Sequence, residues 1–161
     1  MTMSGPLFVL TLVTAVGCAT MGGVFYGFSS FVMAGLGRLP ANQGAAAMRA
    51  LNVEAPKPPL MIGLLGTSLL CAGLGVTALV SWDGAYSGYL IAGALCYLIG
   101  PLGLTAGYHV PRNDALDRVE PNSRAEERLW ATFSTEWTRA NHLRALGGIA
   151  AAVCLILSLT R

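Results

Sequence analysis

Between Met1 and Gly37 the chain carries no charged side chain, and residues 6–36 are almost all apolar or small. A helix of about 20 such residues crosses the hydrocarbon core of a bilayer. Hydrocarbon offers the backbone no hydrogen-bond partner, so only helices and closed barrels can span it. Three further apolar runs follow, at 59–81, 86–108 and 142–160. The pattern predicts an all-α chain: one integral membrane domain over 1–161, a four-transmembrane-helix bundle with short amphipathic helices in the loops between spans. Composition agrees. Only 11% of residues are charged and the mean hydropathy is +0.60, against about 25% charged in soluble domains. The net charge of +2 gives no basic footprint for nucleic acid.

The first run lacks the basic start of a cleaved signal peptide, and "AVGC" at 15–18 lacks the basic start of a lipoprotein leader, so a retained first helix is expected. Lysines and arginines are unevenly placed. Arg38, Arg49 and Lys57 lie in loop 37–58. Arg112, Arg118, Arg124, Arg128 and Arg139 lie in loop 109–141, with Arg144 just beyond; only Arg161 lies at the other side. The positive-inside rule then puts both loops in the cytoplasm and both termini outside an inner (cytoplasmic) membrane. The four cysteines, Cys18, Cys71, Cys96 and Cys154, fall one per span with no C-x-x-C pair. They read as small apolar fillers.

Lipid tails are as apolar as leucine, so packing within the bilayer depends on small residues that let backbones approach. Gly23 with Gly27, Gly103 with Gly107, Gly147 with Ala151 and Gly148 with Ala152 have the required spacing. The same faces could serve contacts between chains, so a homo-oligomer stays open. Gly100-Pro101 predicts a kink in the third span, because proline removes a donor and crowds the preceding turn. Ser123 and Glu126 have capping-box spacing. Trp130, Phe133, Trp137, Asn141 and Arg144 follow on one helical face, with no breaker before Gly147. One long helix from Ser123 into the membrane is expected. In the first loop, Ala45, Met48 and Leu51 or Asn52 share a side of a short helix. The two elements would together cap the bundle.

The only two histidines, His109 and His142, stand at facing ends of consecutive spans. An antiparallel pair would bring them to one depth, with Asn113, Asn141 and Arg144 in the same layer. Tyr26, Ser29 and Ser30 of the first span face that layer. Polar groups at the rim of a membrane bundle are costly unless paired or functional, so a shared two-histidine pocket is expected.

Three stretches carry a family likeness. "GGVFYGFSSFVMAGLGRLPANQGAAAMRALN" (22–52), "HVPRNDAL" (109–116) and W-x-x-x-N-H-x-R (137–144) resemble, in order and spacing, the motifs of a family of small four-helix membrane proteins that includes the anthrone oxygenases. Members often carry a second Trp directly before Asn-His, where this chain has Ala140. The resemblance implies a membrane oxygenase taking a hydrophobic, anthrone-like aromatic substrate and molecular oxygen, with membrane lipids around it. In that reading His142 or His109 is the base that removes a proton from the acidic CH₂, since an unperturbed imidazole titrates at about 6.5. Asn141, Asn113 and Arg144 would stabilise the anion. Trp137 and Tyr26 would stack on the ring system, with Ser29, Asn52 and Tyr108 among the binding residues. No cofactor is expected. The alternative is iron or copper held by His109 and His142 with Asp114, Asp117 or Glu136, for which the spacing shows no helical His–x–x–x–His or Glu–x–x–His pair. A non-catalytic protein that binds a lipid, a small hydrophobic molecule or a partner is the rival class. Ion or proton transport is disfavoured by the lack of charges inside the spans and of an inverted repeat.

Overall fold

The computed structural model describes residues 5–160. Five helices account for most of them: α1, Gly5–Leu36; α2, Ala41–Glu54; α3, Pro58–Val80; α4, Gly84–Arg118; and α5, Arg124–Ser158. All but α2 are long and apolar enough to cross a membrane. No strand occurs among the described residues. Arg161, the lone basic residue counted on the opposite side, lies outside them, as does Met1.

The four expected spans are present, but two reach further than their apolar runs. The third continues as helix ten residues beyond Tyr108 to Arg118, and α5 starts at Arg124, as the long helix expected from Ser123. The stretch read as a long loop is therefore mostly helix, with a short turn at residues 119–123. Polar composition ended the apolar runs without ending the helices, and Pro111 falls where the π turn Thr105–His109 passes into the α-helical extension Val110–Arg118. Ser123 caps α5 as its sequence predicts, its hydroxyl accepting from the Glu126 N–H at 3.1 Å.

Helix α5 is the centre of the bundle and packs along α1 and α4. The approach depends on two adjacent glycines. A Cβ on Gly148 would sit 2.8 Å from Gly22 Cα, and one on Gly147 would sit 2.9 Å from the Cys96 carbonyl and 3.0 Å from Gly100 Cα. The fourth span thus uses the small residues expected of it. Gly23 and Gly107 do not act this way: a Cβ on either meets nothing within 4 Å, and Gly27 and Gly103 meet only atoms of their own helices. The partners are Gly22 and Gly100, one and three residues away. Spacing alone could not choose among several small residues on a helix whose faces are all apolar. Cys18 and Cys71 are free and buried, their sulfurs 3.6 Å apart where α1 meets α3, which fits a filler role.

Near the α2 end of the bundle, three spanning helices widen into π-helical turns: Phe28–Val32 in α1, Ile62–Gly66 in α3, and Leu98–Gly103 with Thr105–His109 in α4. Pro101 lies in the third of these. The donor it lacks is accommodated by that wider turn.

The cap forms as the two loops suggested. Met33, Ala45, Met48, Leu116, Trp130, Phe133 and Trp137 make a second apolar cluster, separate from the core between the spans. It seats α2 on α5 and on the end of α4. Gly44 lets α2 lie flat: a Cβ there would be 2.7 Å from the Trp130 ring. Arg49 reaches under the cap to pair with the buried Glu126, and it donates to the Leu116 and Val119 carbonyls at 2.9 and 3.1 Å. The other Glu126 oxygen accepts the Asn122 N–H at 2.7 Å. One carboxylate thereby fixes both α2 and the α4–α5 turn.

Candidate functional site

Beneath the cap lies a cavity of about 370 Å³, within the range of small-molecule sites. Its walls come from all five helices: Phe25 and Phe28 of α1, Met48 and Asn52 of α2, Leu64 of α3, Thr105, His109 and Asn113 of α4, and Trp137 and Arg144 of α5. The lining is mostly apolar, with polar groups at defined places.

His109 ends the second π turn of α4 and is 1% exposed. Its Nδ1 is 2.9 Å from the Leu104 carbonyl, five residues back. A carbonyl only accepts, so Nδ1 carries the proton and Nε2 keeps its lone pair. Nε2 lies 3.4 Å from the Trp137 carbonyl; without a proton it cannot donate to that oxygen, and once protonated it can. The imidazole meets the Trp137 ring edge to face, with centroids 4.9 Å apart and planes at 89°. Trp137 is fixed in turn, its Nε1 donating to Asn113 Oδ1 at 3.0 Å.

Arg144 is 7% exposed and lies among rings. Its guanidinium carbon is 3.8 Å from the Phe25 ring centroid and 5.9 Å from that of Trp137. No carboxylate pairs with it among the described residues, whose ion pairs join Arg49 to Glu126, Lys57 to Glu54 and Arg112 to Glu136. Its Nε has no hydrogen-bond partner. A buried cation without a counter-ion is costly unless something anionic is to meet it.

The other expected site residues divide. Asn52, Asn113 and Trp137 line the cavity with His109 and Arg144. Asn141 and Ser29 are buried but turned to each other: Asn141 Nδ2 donates to Ser29 Oγ and to the Phe25 carbonyl, both at 2.7 Å. They clip α1 to α5 rather than line the site. Tyr108 stays off the cavity and carries the Arg112 guanidinium 3.5 Å above its ring. Tyr26 is 59% exposed on the outer surface, so it cannot stack on a ligand in the cavity; Phe25, one residue earlier, takes that place. Ser30 is also exposed. Ala140 is buried away from the cavity.

His142 requires the main correction. It is exposed, next to the outward-facing Leu143 and Leu146. Each residue advances a helix by about 100°, and the inner face of α5 is set by Trp137, Asn141, Arg144 and Gly148. His142 therefore points out of the bundle, whereas His109 lies against Trp137. The shared two-histidine pocket does not form. The proposed iron or copper ligand pair fails for the same reason. No group of three or more His, Cys, Asp or Glu residues suited to a metal occurs among the described residues.

Sequence reasoning missed Phe25, Phe28, Met48, Leu64 and Thr105. On α4 a signal existed: Leu102, Thr105, His109 and Asn113 repeat at helical spacing, with Asp117 next on the same stripe. It becomes legible only when the helix is carried past Tyr108.

The sequence pattern described as anthrone oxygenase matches residues 59–154. That stretch holds His109, Asn113, Trp137 and Arg144, and with them the second and third motifs; the motif at 22–52 lies before it. No curated protein and no solved structure matches the chain. With the pattern covering more than half of its length, and four apolar helices closing over a single buried imidazole, the chain belongs to the anthrone oxygenase family.

Proposed function

We propose that this protein is a membrane-embedded oxygenase that converts a hydrophobic, anthrone-like substrate to the corresponding quinone with molecular oxygen. The observation that carries the reading is the pairing, in one apolar cavity, of a buried imidazole with a free lone pair and a buried guanidinium without a counter-ion.

The substrate lies among Phe25, Phe28 and Trp137 with its carbonyl toward Arg144. His109 Nε2 takes a proton from the CH₂ between the aromatic rings, and the Trp137 carbonyl accepts the new N–H. The electron pair left behind moves onto the substrate oxygen, where Arg144 balances the charge. The electron-rich anion passes an electron to O₂, and the resulting radical pair joins as a carbon–oxygen bond. His109 returns its proton to the outer oxygen, giving a hydroperoxide on the former CH₂ carbon. That carbon then loses its second hydrogen as a proton while the O–O bond breaks. The quinone carbonyl and one water result, so one O₂ is consumed per quinone. The dry walls keep the oxyanion strongly coupled to Arg144.

The test follows quinone absorbance when purified protein, anthrone and oxygen are mixed, against a protein-free control that measures spontaneous oxidation. Wild type should exceed the control, and Arg144→Gln should lower the excess by about 10²–10³-fold, the usual effect of removing one oxyanion donor. Binding of the aromatic without any excess turnover would favour the non-catalytic class.

We also infer that the cap faces the cytoplasm, because nine of the ten Lys and Arg residues lie at that end of the bundle. A C-terminal reporter that functions only in the cytoplasm should stay dark; a bright signal would invert the orientation.

A further inference from the structure

Three polar side chains that the cavity does not use, Tyr26, Ser30 and His142, converge on one outer seam of the bundle. Asn141 of α5 donates to Ser29 Oγ and to the Phe25 carbonyl of α1, and Gly148 meets Gly22, so these residues face each other across the seam. One residue further along either helix turns the side chain by about 100°. Because α1 and α5 run in opposite directions, the two turns lead to the same side. Tyr26 follows Phe25, Ser30 follows Ser29, His142 follows Asn141, Gly23 follows Gly22 and Ile149 follows Gly148; all are exposed. Asn141 reaches both 25 and 29, so His142 stands at a height between Tyr26 and Ser30. The cavity lies on the opposite side of the seam, where Val24 and Phe28 precede Phe25 and Ser29.

The exposed face of α5 changes character at this height. Toward the cap it carries Arg128, Thr135, Arg139 and His142; beyond, it carries Leu146, Ile149 and Val153. Such a change marks the passage from the headgroup layer into hydrocarbon. Arg139, one turn before His142, pairs with no carboxylate among the described residues. Helix α1 has no charged side chain, and Glu136, the one acidic residue of α5 after Glu127, accepts from Arg112 of α4 at 3.4 Å. The seam therefore offers a cation with no protein anion to balance it. Deeper in, Gly23 leaves a trough beside Ile149, since a Cβ there meets nothing within 4 Å. We propose that this seam binds a membrane phospholipid with an anionic headgroup. Arg139 and His142 hold the phosphate, for which a guanidinium supplies paired N–H donors. Tyr26 and Ser30 place hydroxyls beside the ester oxygens, and an acyl chain runs over Gly23 against Leu146 and Ile149. A zwitterionic headgroup would bring an ammonium to a face with no carboxylate to receive it. The site lies outside the cavity and does not depend on the chemistry assigned there.

The experiment is native mass spectrometry of the purified, delipidated full-length protein, titrated in detergent with phosphatidylglycerol or with phosphatidylcholine of identical acyl chains. Wild type should bind phosphatidylglycerol about tenfold more tightly, the scale of one charge-assisted contact. Arg139→Gln should lower phosphatidylglycerol affinity about fivefold to tenfold, the scale of one basic residue at a membrane surface, and remove most of the preference over phosphatidylcholine. His142→Leu should lower phosphatidylglycerol affinity about threefold, the scale of one neutral hydrogen bond. Arg128→Gln is the matched control. It loses the same charge from the same face of α5, eleven residues or about 16 Å away, and should leave affinity within about twofold of wild type, since a surface charge beyond the screening distance contributes little. All four proteins are first shown to be monodisperse by size exclusion. The proposal is overturned if the two lipids bind wild type alike, if Arg128→Gln costs as much as Arg139→Gln, or if His142→Leu leaves phosphatidylglycerol binding unchanged.

Discussion

Replacing His109 with asparagine should lower quinone formation by a factor on the order of 10²–10⁴, the usual contribution of a positioned general base, while His142→Asn should leave turnover near wild type. The contrast follows from where the two rings lie. His109 is buried, with Nδ1 tied to the Leu104 carbonyl and Nε2 left to accept a proton beside the cavity. His142 faces outward beside Leu143 and Leu146 and lines no part of the cavity. Asparagine at 109 can still donate to Leu104, so the helix end keeps a partner while the base is lost. Steady-state rates, read with size-exclusion profiles that report folding, separate loss of chemistry from loss of structure. A dead His142→Asn protein beside an active His109→Asn one would reverse the assignment.

The second large effect concerns the backbone contact on which the bundle depends. Gly148→Leu should leave little folded protein, and Gly148→Ala should cost about 1–3 kcal/mol, the range for overpacking a close contact. The atoms that a Cβ would meet at 148 are Gly22 Cα at 2.8 Å, Gly22 N at 3.0 Å and the Cys18 carbonyl at 3.1 Å. These are backbone atoms, and no rotamer change can move them aside. Gly23→Leu is the matched control. It lies one residue from Gly22 but opens onto free space, so it should shift stability by no more than about 0.5 kcal/mol. The fraction of monodisperse protein remaining after a heating series in detergent measures both. Equal damage from the two leucines would mean that α1 does not meet α5 at Gly22.

These contrasts also show what the sequence could and could not tell. Four spans, the Ser123 cap, the long aromatic-to-polar face of α5 and the seating of α2 follow from periodicity and end signals, which are local. The site required rotation as well as depth. Antiparallel order brings the ends of the third and fourth apolar runs together, but it says nothing about which way a side chain points. The inner face of α5 was already legible from Trp137, Asn141 and Arg144, and His142 falls outside it. Tyr26 fails for the same reason beside Phe25. Asn141 and Ser29 looked like ligand-binding polar groups and proved to be a helix–helix clip, because a polar pair in lipid is equally well explained by bonding to each other. The glycine contacts could not be chosen from spacing, since a helix apolar all round marks no preferred face. The π turns around Pro101 and His109, which present the imidazole to the cavity, left no sign in composition.

The proposed chemistry requires an aromatic ligand in the space between the cap and His109. Anthraquinone tests it directly, because its photoexcited carbonyl abstracts hydrogen from whatever C–H lies against it and then couples there. After irradiation of the purified full-length protein and peptide mapping, the adducts are expected on cavity residues such as Met48, Leu64 and Leu102. Adducts concentrated around His142, Leu143 and Leu146 on the outer face of α5, with the cavity residues unmodified, would place the ligand outside the bundle and leave His109 without a substrate.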